Sequence, residues 1–178
     1  KKPMVRQNPE TRETLLARLD TLGIAYTEYF HPPVFTVKEA KELRGKIPGA
    51  HCKSLFLQDK VGALFLIISL EWRRLDMKEL AKLLSSQRLF FGKPELLVEK
   101  LGVRPGSVTP FAAINDIGSR ENHVTIVLDK KMMGCTQVNY HPLINTATIG
   151  LSPQDLLRFL VTCDHTPLIL DLDPVSQK

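Results

Sequence analysis

The sequence is poor in the residues that build disulfide and metal frameworks. Its 178 residues include only three cysteines, Cys52, Cys135 and Cys163, widely spaced and odd in number. No CxxC and no Cys–His zinc spacing occurs, so neither a disulfide framework nor a structural zinc is expected, and no metal is assigned. Reduced thiols suit a cytoplasmic protein. Aromatic residues make up 7% of the chain, with a single tryptophan. Long apolar runs are missing: the longest, Ala63–Ile68, stops at Ser69. That is far short of the ~20 residues that span a bilayer, so no membrane association is expected. Neither GxxxxGK[ST] nor GxGxxG is present, so nothing indicates a nucleotide fold and no cofactor is assigned. Internal repeats, low-complexity tracts and Gly/Ser linkers are absent as well. The segment Lys1–Asn8 lacks the apolar core of a signal peptide and is expected to be a flexible N-terminal segment, trimmed or carrying added residues.

What is present is an ordinary globular composition, 43% hydrophobic and 24% charged. One domain over residues 1–178 is the natural reading, large enough to bury roughly 70% of the unfolded surface without a staple. Twenty-four Lys and Arg against nineteen Asp and Glu leave a net charge of +5. That excess suits a polyanionic partner.

Local signals alternate helix and strand. Asn8 and Pro9 open a first helix carrying Leu15, Leu16, Leu19 and Leu22 and closed by Gly23. A strand follows over Ile24–Tyr29. Thr36-Val37-Lys38-Glu39 is a capping box for a helix ending near Arg44-Gly45. Lys53–Leu57 and Ala63–Leu70 read as a strand pair joined by a short turn. Asp76 caps a helix reaching Leu84, Leu89–Phe91 reads as a strand, and Pro94 starts a helix closed by Gly102. Strands are expected at Val124–Leu128, Thr136–Tyr140, Thr146–Ile149 and Leu168–Leu170, with a helix from Ser152-Pro153 to Leu160. Short links favour antiparallel pairing, because a parallel crossover needs a dozen or more residues. The expected class is α/β of the α+β type: a mixed, largely antiparallel sheet or partial barrel surrounded by helices.

Three places can carry chemistry. Lys53 lies where a loop enters an apolar strand, a position from which it can bind phosphate or carboxylate as a point charge. A surface lysine with its stem packed on the strand fits the same pattern. The loop Gly102–Phe111 contains Gly106, which permits backbone N–H groups to turn toward a ligand oxygen. His141, held extended by Pro142, can donate a hydrogen bond or move a proton near neutral pH; a packed histidine fits equally. His51-Cys52 does not make a nucleophile–base pair, since neighbours on an extended segment point opposite ways. Scattered bases, among them Lys38, Arg44, Arg74 and Lys93, can form a phosphate-binding face.

Five segments in order carry a resemblance: His31-Pro32-Pro33-Val34-Phe35-Thr36, Cys52–Leu57, Phe91–Leu96, Gly102–Phe111 and Asn139–Pro142. Together they resemble the YbaK/prolyl-tRNA synthetase-associated editing domain family, and within it the free-standing ProXp-ala (PrdX-type) group. The likeness runs from about Thr11 to Leu172. It implies a trans-editing hydrolase that deacylates mischarged aminoacyl-tRNA, most readily alanyl-tRNA(Pro), with prolyl-tRNA synthetase as a further partner. A cytoplasmic location and a monomer are the accompanying expectations. By the same resemblance, Lys53 holds the 3′-terminal adenosine and orients the ester. Gly106, Ser107, Val108 and Pro110 belong to the loop whose backbone lines the aminoacyl site. His141 is the pocket histidine, and Thr36 borders the pocket. Ser54 stands where many relatives carry Asn, which shortens its reach toward the ribose. The implied chemistry uses a positioned water and oxyanion-stabilising backbone donors rather than a side-chain nucleophile. Deacylation of cysteinyl-tRNA(Pro) and a non-catalytic tRNA- or DNA-binding module remain alternatives.

Overall fold

The computed structural model describes residues 8–34, 36–117 and 123–177. Phe35 and residues 1–7 of the expected N-terminal segment lie outside the described residues. Strands and helices follow in the order α1 (Arg12–Thr21), β1 (Thr27–Phe30), α2 (Val37–Lys46), β2 (Ala50–Asp59), β3 (Leu64–Leu70), α3 (Met77–Leu83), β4 (Leu89–Phe91) and α4 (Pro94–Leu101). A 3-10 segment (Pro110–Asn115) precedes β5 (Thr125–Asp129), β6 (Val138–Tyr140), β7 (Ala147–Leu151), α5 (Pro153–Thr162) and β8 (Leu168–Leu170).

Local rules place most of these elements. Thr36 accepts from the Glu39 N–H while Glu39 reaches back to the Thr36 N–H, the expected capping box. Asp76 caps α3 through the N–H groups of Lys78 and Glu79. Pro94 opens α4, and Gly102 closes it in the left-handed region at φ 65°. Several boundaries differ from expectation. β1 begins at Thr27, not Ile24, and β2 spans Ala50–Asp59, so Lys53 lies inside the strand rather than at its entry. The first helix is capped by Thr11, not Asn8, because Thr11 and Thr14 satisfy each other's backbone N–H groups. The second runs through Gly45 to Lys46 and stops where Pro48 forces Ile47 into an extended conformation.

The eight strands form one mixed, open sheet in the order β1-β7-β6-β2-β3-β5-β8, with β4 added beside β2. Among the described residues four pairings are antiparallel and three parallel. The short links make hairpins, β2–β3 and β6–β7, as expected. The parallel pairs β3–β5 and β5–β8 are joined by long crossovers that contain helices.

β3 is buried along its whole length, so its side chains feed two cores on opposite faces. Leu64, Leu66 and Ile68 join Leu15, Leu19, Leu97, Leu101, Leu156 and Phe159 from α1, α4 and α5. Phe65 and Ile67 join Leu80, Leu172 and Val175 on the other face. Helices on both faces fix the sheet, and with it the strand that carries Lys53.

Candidate active site

The site arises from how β2 shares its outer edge. Ala50 and His51 pair with Val138 and Asn139 of β6. Further along, Leu57–Asp59 pair with β4. Among the described residues, Cys52–Leu55 therefore have a strand partner only on the β3 side. Next to this interrupted edge lies an open cavity of about 560 Å³.

Lys53, Ser54, Gly106, Val108 and His141, five of the eight site residues expected from sequence, line this cavity. The other three do not. Thr36 is exposed and spends its side chain capping α2. Ser107 donates its N–H to the Arg104 carbonyl within the loop turn, and Pro110 is buried at the start of the 3-10 segment.

The half-buried Lys53 ammonium donates to the Arg73 backbone carbonyl. Desolvation lowers its pKa, opposed by the nearby Glu71 carboxylate and reinforced by Arg74. Gly106 has φ 94° and open space where a Cβ would stand. Its left-handed backbone turns the loop that carries Pro105 and Val108 along the cavity wall.

His141 Nδ1 lies 2.9 Å from the Ala147 carbonyl, which must accept, so Nδ1 carries the hydrogen. Neutral His141 then keeps Nε2 as an acceptor. Burial lowers its pKa, partly offset by the Ala147 bond, and His31 with its ring centroid 6.1 Å away lowers it further. His31 is fixed in turn by the Pro32 carbonyl at 2.9 Å and the Thr148 hydroxyl at 2.8 Å.

Other lining residues were not among the expected site residues, although Val34 and Asn139 lie in the segments that carry the resemblance and Arg44 among the scattered bases. Val34, Ala40 and Leu43 make an aliphatic wall from α2 and the segment before it. Arg44 pairs with Glu71 at 3.1 Å across the rim. Asn139 uses its amide to join the Pro48 and Ala50 carbonyls at 2.9 and 3.1 Å, fastening β6 to the start of β2. The motif residues around His31 and Asn139 were visible in sequence, but their bonds are between distant segments.

Cys52 also lines the cavity, yet burial pushes its thiol up to about 12. It remains a thiol at neutral pH and is unsuited to attack. His51 turns its ring to the Ile47 carbonyl at 3.2 Å. The arrangement thus offers a cation, an acceptor imidazole, a glycine loop and an aliphatic wall, without an activated nucleophile.

A mixed, helix-flanked open sheet with this cavity at an interrupted strand edge is the architecture of a small editing domain. The chain belongs to the aminoacyl-tRNA editing domain family, whose model matches residues 31–159. It is 41% identical to prolyl-tRNA synthetase associated domain-containing protein 1 of Danio rerio, over 92% of this chain and 89% of that one. It is 30% identical to the prolyl-tRNA editing protein ProX of Acetoanaerobium sticklandii, over 92% and 98%. A crystal structure described as a candidate trans-editing enzyme for prolyl tRNA synthetase shares the fold, with TM-score 0.66, 23% identity and coverage of 93% and 98%. No helix among the described residues is long and apolar enough to cross a membrane.

Proposed function

We propose that this protein is a cytoplasmic trans-editing hydrolase that deacylates mischarged alanyl-tRNA(Pro), correcting the product of prolyl-tRNA synthetase. The observation that carries the reading is the convergence of Lys53, Gly106 and His141 on one cavity with an aliphatic wall. Membership of an editing-domain family and the likeness to the prolyl-tRNA editing protein ProX support the same class of reaction.

Lys53 holds a phosphate or hydroxyl of the 3′-terminal adenosine and sets the ester against the Gly106 loop. Water attacks the ester carbonyl carbon. His141 Nε2 accepts a hydrogen bond from that water, and backbone N–H groups of the loop hold the oxyanion. The carbon–O3′ bond breaks, and the departing O3′ takes up the proton that the attacking water gives up, releasing alanine and tRNA with a 3′-hydroxyl. An aminoacyl ester is labile enough for positioning to supply much of the acceleration. Val34, Ala40, Leu43 and Val108 receive the alanine methyl.

A separate sieve is chemically necessary, because a pocket built for proline rejects a smaller side chain by only ~1–3 kcal/mol per methylene. Excluding proline sterically protects the correct product.

The test compares hydrolysis of alanyl-, cysteinyl- and prolyl-tRNA(Pro) at equal concentration. Fast alanyl and slow prolyl turnover is expected. Preference for the cysteinyl ester would reassign the substrate, and tRNA binding without turnover of any ester would leave a non-catalytic module.

A further inference from the structure

Apart from the cavity, three side chains of types that can ligate a metal meet: Asp116 and His123, close in sequence, and His165 from beyond α5. Asp116 follows the 3-10 segment, His123 precedes β5, and His165 follows α5. Asp116 and His165 are 4% and 5% exposed, while His123 is half-buried. The expectation of no metal-ligand group rested on sequence spacing, and spacing cannot reveal residues brought together only by the fold.

His165 is placed by a tight helix ending. Asp164 takes φ 60°, in the left-handed region. The His165 N–H donates to the Leu160 carbonyl at 3.0 Å and the Asp164 N–H to Val161 at 3.1 Å, the Schellman pattern. A non-glycine residue held there is strained, and such strain persists where the surroundings impose the conformation.

The polar groups lie close to one another. Asp116 Oδ2 accepts the Val124 N–H at 2.8 Å, which fixes the carboxylate. His165 Nε2 lies 3.1 Å from that oxygen but is buried without a well-directed hydrogen bond. The His123 ring stacks on His165, centroids 4.8 Å apart at 18°. One donor atom from each of the three lies within 4.8 Å of the others. Tetrahedral zinc with nitrogen and oxygen ligands near 2.0–2.2 Å needs donors roughly 3.3 Å apart. The Asp116–His165 spacing already meets this. His123, half-buried just before β5, has to turn its ring out of the stack on His165 and close in by up to about 1.5 Å.

We propose that Asp116, His123 and His165 bind a divalent transition-metal ion, with zinc as the best match to two imidazole nitrogens and one carboxylate. Calcium and magnesium prefer all-oxygen shells, so the donor set disfavours them. With three protein ligands, a tetrahedral zinc takes water as the fourth. None of the three residues lines the Lys53 cavity, so the ion is a clamp rather than a participant in hydrolysis. It ties the segment beyond the Gly106 loop to the start of β5 and to the turn after α5. An ion that binds only the folded state raises stability by mass action.

The experiment uses the full chain, freed of metal by a chelator. Zinc is titrated calorimetrically, thermal unfolding is followed with and without zinc, and cobalt(II) is added as a spectroscopic probe. The expected result is one zinc per chain with micromolar or tighter affinity, and a higher melting temperature with zinc. His123→Ala and Asp116→Asn should each weaken binding roughly tenfold or more. The cobalt spectrum should lack the strong thiolate band of a cysteine site. His123→Ala alters a half-buried side chain and should keep the fold, so its result stands even if Asp116→Asn unfolds. Absence of zinc binding, a thiolate band, or wild-type affinity in His123→Ala would each overturn the proposal. The first would leave Asp116 and His165 as a buried contact within the fold, and the last would place the ion elsewhere. None of these outcomes bears on deacylation.

Discussion

Lys53 donates its ammonium to the backbone carbonyl of Arg73, whose own guanidinium is buried against Asp129 at 2.6 Å. The cation that faces the cavity is therefore referenced to an ion pair in the interior. Arg73 also reaches Asp173 at 2.7 Å and the Ser176 hydroxyl at 2.8 Å, so the C-terminal segment is fastened to the same residue. A long, flexible side chain at the cavity rim gains a fixed anchor, which a catalytic cation needs and a merely solvated lysine does not.

Lys53→Ala should remove most deacylation while leaving the fold. The lost hydrogen bond is to one carbonyl at a half-buried position, so the stability cost should be about 0.5–1.5 kcal/mol. Lys53→Arg should not restore activity, since a planar fork cannot reproduce a compact ammonium in the same space. Single-turnover rates on alanyl-tRNA(Pro), together with urea melts, check both statements. Near wild-type rates in Lys53→Ala would remove Lys53 from the mechanism.

Arg73→Ala should be severely destabilising, by roughly 3–5 kcal/mol, because it strands the fully buried Asp129 carboxylate. Adding Asp129→Leu should not recover the loss. Asp129 also accepts the backbone N–H groups of Leu70 and Lys131, both at 3.1 Å, and leucine would leave them unpaired. Denaturant midpoints of the single and double variants decide the matter. A double variant as stable as wild type would reduce Asp129 to a counter-ion.

His141 gives a pH signature. Its folded pKa is lowered from 6.5, mainly by burial. Between the folded value and 6.5 the unfolded chain binds more proton at this residue than the folded chain does. Stability therefore rises with pH through that window and falls on acidification. His141→Gln should flatten this part of the profile relative to wild type. Thermal unfolding of both proteins from neutral pH downward is the measurement, and parallel curves would contradict the assignment.

Helix starts and stops were legible because their causes are local: the Thr36–Glu39 box, the Asp76 cap and the Pro94–Gly102 frame each act within a few residues. The first cap was misplaced onto Asn8 because a Thr–Thr box is a weaker sequence pattern than Asn-Pro. The cavity was only half legible. Its members lay in recognisable segments, but the feature that creates it is β2 pairing with β6 at one end and β4 at the other. That sharing depends on strands 30 or more residues distant in sequence. The Arg44–Glu71 pair and the Asp116, His123 and His165 group have the same origin. No spacing rule connects residues that only a sheet and its helices bring together.

Two glycines allow the conformational role of the loop to be separated from packing. An added Cβ would meet nothing within 4 Å at either Gly45 or Gly106, so neither substitution to alanine creates a clash. They differ in backbone. Gly45 lies within the last turn of α2, where alanine lowers the entropy lost on folding. Gly106 sits at φ 94°, outside the regions that L-residues favour. Gly45→Ala should therefore stabilise the protein by about 0.5 kcal/mol without altering turnover. Gly106→Ala should destabilise by about 1–2 kcal/mol, or the loop should relax to a different backbone at lower cost. Relaxation moves the wall that carries Pro105 and Val108, and kcat/KM for alanyl-tRNA(Pro) should then fall more than the stability loss alone would require. Melting temperatures separate the two substitutions, and kinetics measured well below those temperatures separate loop geometry from unfolding. If Gly106→Ala is destabilised yet fully active, the loop supports the fold and does not shape the site.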